Sequence, residues 1–319
     1  MNLCKKIFSI STLGIMAIVL QGCDNQSDPI QISEKEKFIT PITITHELGN
    51  TVIEYRPNRV AALDMNEVDF LDQLEVPIAG MVKDYVPHYL SEYKVDQNIE
   101  DLGAIVQPNI ERVYMLKPDL ILMTPLHTEN YKELANIAPT IHFDDSIQNH
   151  IEKVEEHLIT LGQIFDKEAL AQQKVKKLQR KVQEVQKLTS TRSEKALVVL
   201  HNNGAFRNFG PHSRYGFIFE ELGVNPASAA AENSLHGQPI SSEFIQQADP
   251  DILYIVDRTA VMERRSKINY DDVSNPLLRQ TKAWKNHRVV FVDADAWYIA
   301  AASPTAINIM LDDITKGYR

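Results

Sequence analysis

Apolar residues recur at helical spacing through residues 144–190, a stretch with no proline and a single glycine: Ile151, Val154, Leu158, Leu161 and Ile164, then Ala169, Val175, Leu178, Val182 and Val185. The residues between them are mostly Glu, Gln and Lys, all good helix formers. One unbroken helix of this length would reach roughly 65 Å, too long for a compact domain. The pattern therefore predicts two helices meeting near Gly162–Asp166, and strict heptads, which a coiled coil would need, do not hold.

Two similar segments flank this stretch. Residues 108–123, PNIERVYMLKPDLILM, and residues 240–255, ISSEFIQQADPDILYI, each place a glutamate ahead of a short helical pattern, then Pro-Asp and an apolar strand. The spacing from Glu111 to Pro118 equals that from Glu243 to Pro250. A repeated helix–turn–strand unit on both sides of a helical segment predicts two similar lobes bridged by it. Elsewhere the pattern alternates. Residues 42–53 read as a β-hairpin turning at Gly49-Asn50. Strands are expected at 60–63, 79–82, 120–123 and 140–143, with helices at 66–74, 110–116 and 131–137 between them. The second half repeats the theme, with strands at 196–200, 252–256 and 289–292 and helices at 216–222, 241–247, 277–283 and 304–317. Strands alternating with helices imply parallel α/β sheets.

The N-terminus departs from this pattern. Lys5 and Lys6 precede an apolar run of about 14 residues, shorter than the roughly 20 needed to span a bilayer. It fits the charged and apolar regions of a secretory signal, residues 1–22. The run ends in Leu20-Gln21-Gly22-Cys23, which resembles a bacterial lipobox and implies cleavage before Cys23 and its acylation. The chain has two cysteines, Cys4 within the signal and Cys23. A mature chain would then hold no disulfide, although its compartment would permit one. Polar residues 23–40 read as a lipidated flexible tether, 41–145 as the first lobe, 146–188 as the interlobe helical segment and 189–319 as the second lobe. The expected location is the cell envelope: the outer face of the cytoplasmic membrane, or the periplasm in a two-membrane cell, where Asp24 resembles an inner-membrane retention signal.

Composition narrows the function. The 44% hydrophobic content suffices for two cores, and the net charge of −10 argues against a nucleic-acid partner. No GxGxxG opens a helix after the first strand, and no phosphate-binding GxxxxGK[ST], HExxH or G-x-S-x-G motif occurs. An extracytoplasmic hydrolase or oxidoreductase would have to rest on scattered residues. A two-lobed, tethered α/β protein with a ligand cleft between its lobes remains.

The order of signal and lipobox, VAALDMNEVDFLDQLEVPIAG, LGAIVQPNIERVYMLKPDLIL, the helical stretch, SRYGFIFEELGV, HGQPISSEFI, DPDILYIVDR and DADAWYIA resembles the iron-siderophore binding proteins of ABC importers. These are the class III, helix-linked substrate-binding proteins, and the chain is most similar to the ferric-catecholate binders of the CeuE/YclQ type. The resemblance covers essentially the whole mature chain. It implies two Rossmann-like lobes joined by a long interlobe helix, no enzymatic activity and no cofactor of its own. It further implies a lipid-anchored monomer that captures a ferric catecholate siderophore and hands it to a permease dimer with its ATPase. Haem, a corrinoid or a hydroxamate siderophore is the alternative cargo.

Matched positions imply roles. His236 and Tyr298 would complete the iron shell of a tetradentate catecholate; ferric iron, a hard ion, favours phenolate oxygen, with imidazole a borderline partner. Arg214 and Arg258 would face the anionic ligand with rigid guanidinium donors. Glu111 and Glu243 would dock onto the permease. A third cleft arginine is expected after the KPDLIL strand. This chain has Thr124-Pro125-Leu126-His127 there, and His127 is the candidate to stand in for part of it.

Overall fold

The structure, a computed structural model, describes residues 36–144, 148–228, 236–265 and 268–319. It begins with an antiparallel hairpin, β1 (Lys37–His46) and β2 (Gly49–Tyr55). The first lobe continues through β3 (Val60–Ala62), α1 (Met65–Gln73), β4 (Ile78–Met81), α2 (Ser91–Val95), β5 (Glu100–Asp101) and the small hairpin β6 (Gly103–Ala104) and β7 (Gln107–Pro108). It ends with α3 (Ile110–Leu116), β8 (Leu120–Met123), α4 (Tyr131–Ala135) and β9 (Thr140–His142). Its sheet is parallel, in the order β5-β4-β3-β8-β9. The wholly apolar, buried β8 is what a central parallel strand covered on both faces requires.

Helices α5 (His150–Phe165) and α6 (Glu168–Thr189) follow. The second lobe contains β10 (Lys195–Asn202), β11 (Ala205–Phe209), α7 (Phe217–Glu220), β12 (Asn225–Pro226), β13 (Gln238–Ile240) and α8 (Ser242–Ala248). Then come β14 (Ile252–Asp257), α9 (Arg258–Glu263), α10 (Tyr270–Val273), α11 (Lys282–Lys285), β15 (Val289–Phe291), a π-turn (Asp295–Ile299) and α12 (Pro304–Lys316). The order is β13-β11-β10-β14-β15 with β12 beside β10; β11 and β13 are antiparallel to their neighbours.

The internal repeat has a physical basis. Both α3 and α8 start at a side-chain cap, Asn109 or Ser241, and end at a left-handed residue, Lys117 or Asp249. The next Pro-Asp ties back to the lobe's first sheet strand. Asp119 accepts the backbone N–H groups of Asn58 and Arg59, and Asp251 accepts that of Lys195 at 2.9 Å.

The helical stretch breaks at Asp166-Lys167, with Asp166 left-handed (φ 59°), where two helices were expected to meet. The two arms fold back on each other: a Cβ at Gly162 would lie 2.7 Å from that of Ala171, and Gln179 donates to Glu155 at 2.7 Å. Both arms cross between the lobes. At the start of α5, the His150 backbone N–H donates to Glu221 of the second lobe; at its end, Asp166 lies 3.4 Å from Arg56 of the first. Helix α6 returns, from Lys174 on Gln73 to Thr189 on the Leu222 carbonyl.

Three expectations are corrected. The first hairpin turns at Glu47-Leu48, not Gly49-Asn50, because the Leu48 N–H donates to His46 Nδ1 and Gly49, at φ 138°, already pairs with His46. The helix expected at 277–283 divides, since Thr281 is extended and caps α11. Strand β1 starts at Lys37, inside the stretch read as tether.

Helix α1 carries the joint between lobes. Asn66 Oδ1 accepts the Ala302 N–H at 2.9 Å, Asp69 Oδ2 accepts that of Thr305 at 2.7 Å, and buried Glu67 meets His157 Nε2 at 3.0 Å. Burial pushes the Asp69 carboxyl from 3.8 up to about 6. Between those values the native state holds a proton that the unfolded chain has released, so stability falls as pH rises through that window. Urea midpoints should decline from about pH 4 to about pH 6, and Asp69→Asn, which keeps the acceptor for Thr305, should flatten the decline. An unchanged slope in that variant would assign it to other groups.

Candidate functional site

The C-terminal ends of parallel strands are where α/β sheets bind ligands, and here the segments after those ends meet across the lobes. After β4, the His88 backbone N–H donates to Asp295 Oδ2 at 2.9 Å, and its ring lies 3.6 Å from Asp293. Arg264, at the end of α9, donates to the Val86 carbonyl at 3.4 Å and lies 5.4 Å from the centre of the Tyr85 ring. The second-lobe elements that make these contacts, α9 and the π-turn, also carry Arg258 and Tyr298.

Arg258 opens α9 directly after β14, Tyr298 sits half-buried in the π-turn, and Arg214 lies between β11 and α7. The structure brings these three together. Arg258 Nε donates to the Tyr298 hydroxyl at 2.7 Å, and its Nη1 donates to Asn202 Oδ1 at 3.2 Å. Arg214 Nη2 donates to the Tyr298 carbonyl at 2.6 Å. The guanidiniums lie 5.4 and 5.6 Å from the phenol ring centre, at cation–π distance. Among the described residues neither arginine has a carboxylate partner, so the cluster presents uncompensated positive charge beside a phenol oxygen. That arrangement suits a delocalised oxygen anion.

Rigid neighbours hold the cluster. The buried Tyr215 hydroxyl donates to the Trp297 carbonyl at 2.9 Å, and fully buried Trp297 donates through Nε1 to Asp313 at 3.0 Å. Gly216 closes the turn that carries Arg214; a Cβ there would stand 1.9 Å from the Pro211 carbonyl oxygen.

His236 lies apart from these contacts, exposed at the turn before β13, and among the described residues its imidazole has no hydrogen-bond partner. Its backbone is held by Arg207, which donates to the carbonyls of His236 at 2.5 Å and Gly237 at 2.8 Å. Sequence reasoning missed Arg207 because it missed β11, a five-residue strand without a clear alternation. It also missed Asn202, which closes the apolar run of β10, and the interlobe partners His88 and Arg264.

The idea that His127 stands in for the absent first-lobe arginine is not supported. His127 is fully buried, its Nε2 lies 2.7 Å from the Ile105 carbonyl, and burial pushes its pKa down, favouring the neutral ring. Glu111 and Glu243 are both exposed, each at the second position of its helix. Cys23 lies outside the described residues.

Comparison with known proteins gives a consistent picture. The profile of the periplasmic binding protein family matches residues 60–296. The chain is 61% identical over 306 residues to the ferric-anguibactin-binding protein FatB of Vibrio anguillarum, covering 95% of this chain and 94% of that one. It is 32% identical to the petrobactin-binding protein YclQ of Bacillus subtilis, covering 98% and 99%. Among solved structures it is similar to the siderophore binding protein BauB bound to a complex between two molecules of acinetobactin and ferric iron. That match has a TM-score of 0.85 and 65% identity, covering 88% of this chain and 99% of that one.

Proposed function

Since the chain belongs to the periplasmic binding protein family, whose members bind rather than transform their ligands, we propose that it is the siderophore receptor of an ABC importer. It captures a ferric catecholate between its lobes and delivers it to a permease dimer with its ATPase. The observation that carries this reading is the unpaired Arg214–Tyr298–Arg258 cluster at the strand ends of the second lobe. Relatives named for ferric siderophores support it. Where the chelators supply only four donor atoms between them, two positions of the metal stay open, and His236 and Tyr298 would fill them.

The proposed lobes are residues 41–145 and 189–319, with the helical segment 146–188 between them; a sheet on each side of that segment supports the division. The receptor works as a monomer, held in the cell envelope through acylated Cys23. In the Cys23→Ser form it should appear as a soluble or unprocessed species in cell fractionation. A processed Cys23→Ser protein that stays with the membrane would refute the anchor.

Titration against ferric catecholates, ferric hydroxamates, haem and a corrinoid, followed by fluorescence of buried Trp297 and the visible spectrum, tests the cargo. Ferric catecholates should quench at the lowest concentrations, with a charge-transfer band that moves on binding. Preference for haem, a corrinoid or a hydroxamate would overturn the reading.

A further inference from the structure

The first-lobe wall of the cleft differs in kind from the second. Three of its strand-end segments are locked together: Asp84 Oδ1, after β4, accepts the Ile105 N–H at 2.7 Å, and the Ile105 carbonyl contacts His127, after β8. Val106, next in the chain to Ile105, is 67% exposed, and Leu126, next to His127, is 51% exposed. The same frame continues into Tyr85 and Val86, which touch Arg264 of the second lobe, so it stands at the edge facing that lobe. No described cation of the first lobe reaches it in the place of the absent arginine, since His127 is turned inward and Leu126 outward. The nearby charges are the Asp84 and Asp101 carboxylates and Arg264, which is engaged with the Tyr85 ring.

We propose that Val106 and Leu126, beside the Tyr85 ring that Arg264 covers, form an apolar wall that selects ferric complexes of low net charge carrying an apolar or aromatic flank. This deepens the siderophore reading and rests on it. Such a complex would direct its iron-bound oxygens to Arg214, Arg258 and Tyr298, and its flank to the first lobe. A strongly anionic tris-catecholate would meet Arg214 and Arg258 on one side, with the Asp84 and Asp101 carboxylates against the single Arg264 on the other. The selectivity is electrostatic as well as apolar, because a like charge opposite the ligand disfavours it.

Two exposed substitutions test the wall, with the full mature chain and two probes: the two-to-one ferric acinetobactin complex and a hexadentate ferric tris-catecholate of charge 3−. Leu126→Arg should tighten tris-catecholate binding at least about tenfold and weaken ferric acinetobactin at least about fivefold. Val106→Ser should weaken ferric acinetobactin about fivefold without gain for the other probe. Thermal melts should match wild type, since both positions are exposed. If wild type binds ferric acinetobactin and both variants leave both affinities unchanged, the wall is overturned while the siderophore reading stands. If wild type binds no ferric siderophore, the parent reading falls and this one with it.

Discussion

Reversing Glu111 and Glu243 together to arginine should abolish iron uptake while leaving ferric-siderophore affinity in solution unchanged. The two carboxylates occupy equivalent places built by the same local device. Each is the second residue of a seven-residue helix opened by a capping side chain and closed by a left-handed residue. Each helix then runs into a Pro-Asp whose aspartate is tied to the backbone at its lobe's first sheet strand. The two carboxylates are therefore positioned through the sheets. Ser241, and then the backbone N–H of Glu243 itself, lower the Glu243 carboxyl from its ordinary pKa, which favours its charged form. Neither glutamate touches the Arg214–Tyr298–Arg258 cluster. Against a basic permease pair, charge reversal on both lobes replaces attraction with repulsion at two points. Uptake should fall at least about a hundredfold, with each single reversal giving an intermediate loss. The competing account is that both glutamates serve only the N-terminal dipole of their helices. It predicts a small fall in melting temperature and normal uptake. Radiolabelled iron uptake together with fluorescence titration of the same double variant separates the two.

What the sequence disclosed and what it hid follow from the range of the interactions involved. Helix α3 and strand β8 were readable residue for residue, because Asn109, the 3.6-residue period and the unbroken run Leu120–Met123 are local signals. The break at Asp166 was readable for the same reason. Strands β11 and β13 were not: they are five and three residues long, and only pairing with β10 makes them strands. Helix α1 hides most. Asn66, Glu67 and Asp69 resemble a solvent face in sequence, yet all are buried, because their partners Ala302, His157 and Thr305 lie 90 or more residues away. In the site, Arg214, Arg258 and Tyr298 were found by motif resemblance, and their meeting is a tertiary fact. Arg207 had no local signal at all; it acts through the backbone carbonyls of a turn far along the chain.

In the Tyr298→Phe and His236→Ala variants, binding of a tetradentate ferric bis-catecholate should weaken at least about tenfold each, about 1.4 kcal/mol. Hexadentate tris-catecholate binding should change much less. A hexadentate ligand already fills the iron's six positions, so the protein contributes charge and shape. A tetradentate ligand leaves two positions that water would otherwise take. The Tyr298 hydroxyl accepts one N–H, from Arg258 Nε, and keeps electron density for a metal. His236 stands exposed, its imidazole without a described partner. Its backbone is fixed by Arg207 and by Gly237, where φ is +67° and a Cβ would lie 2.7 Å from the Phe209 ring. A donor fixed at its root has only its own side chain to order on binding a metal. Tyr298→Phe nearly preserves volume, so repacking costs little. It also releases the Arg258 contact, and the hexadentate complex measures that loss separately because it meets the same arginines. Loss of the phenolate should move the ligand-to-metal charge-transfer band of the tetradentate complex, while His236→Ala should shift it less, since imidazole is the weaker partner for ferric iron. Equal losses for both siderophores, with an unmoved band, would mean that the two side chains shape the pocket and leave the iron to its chelator and water.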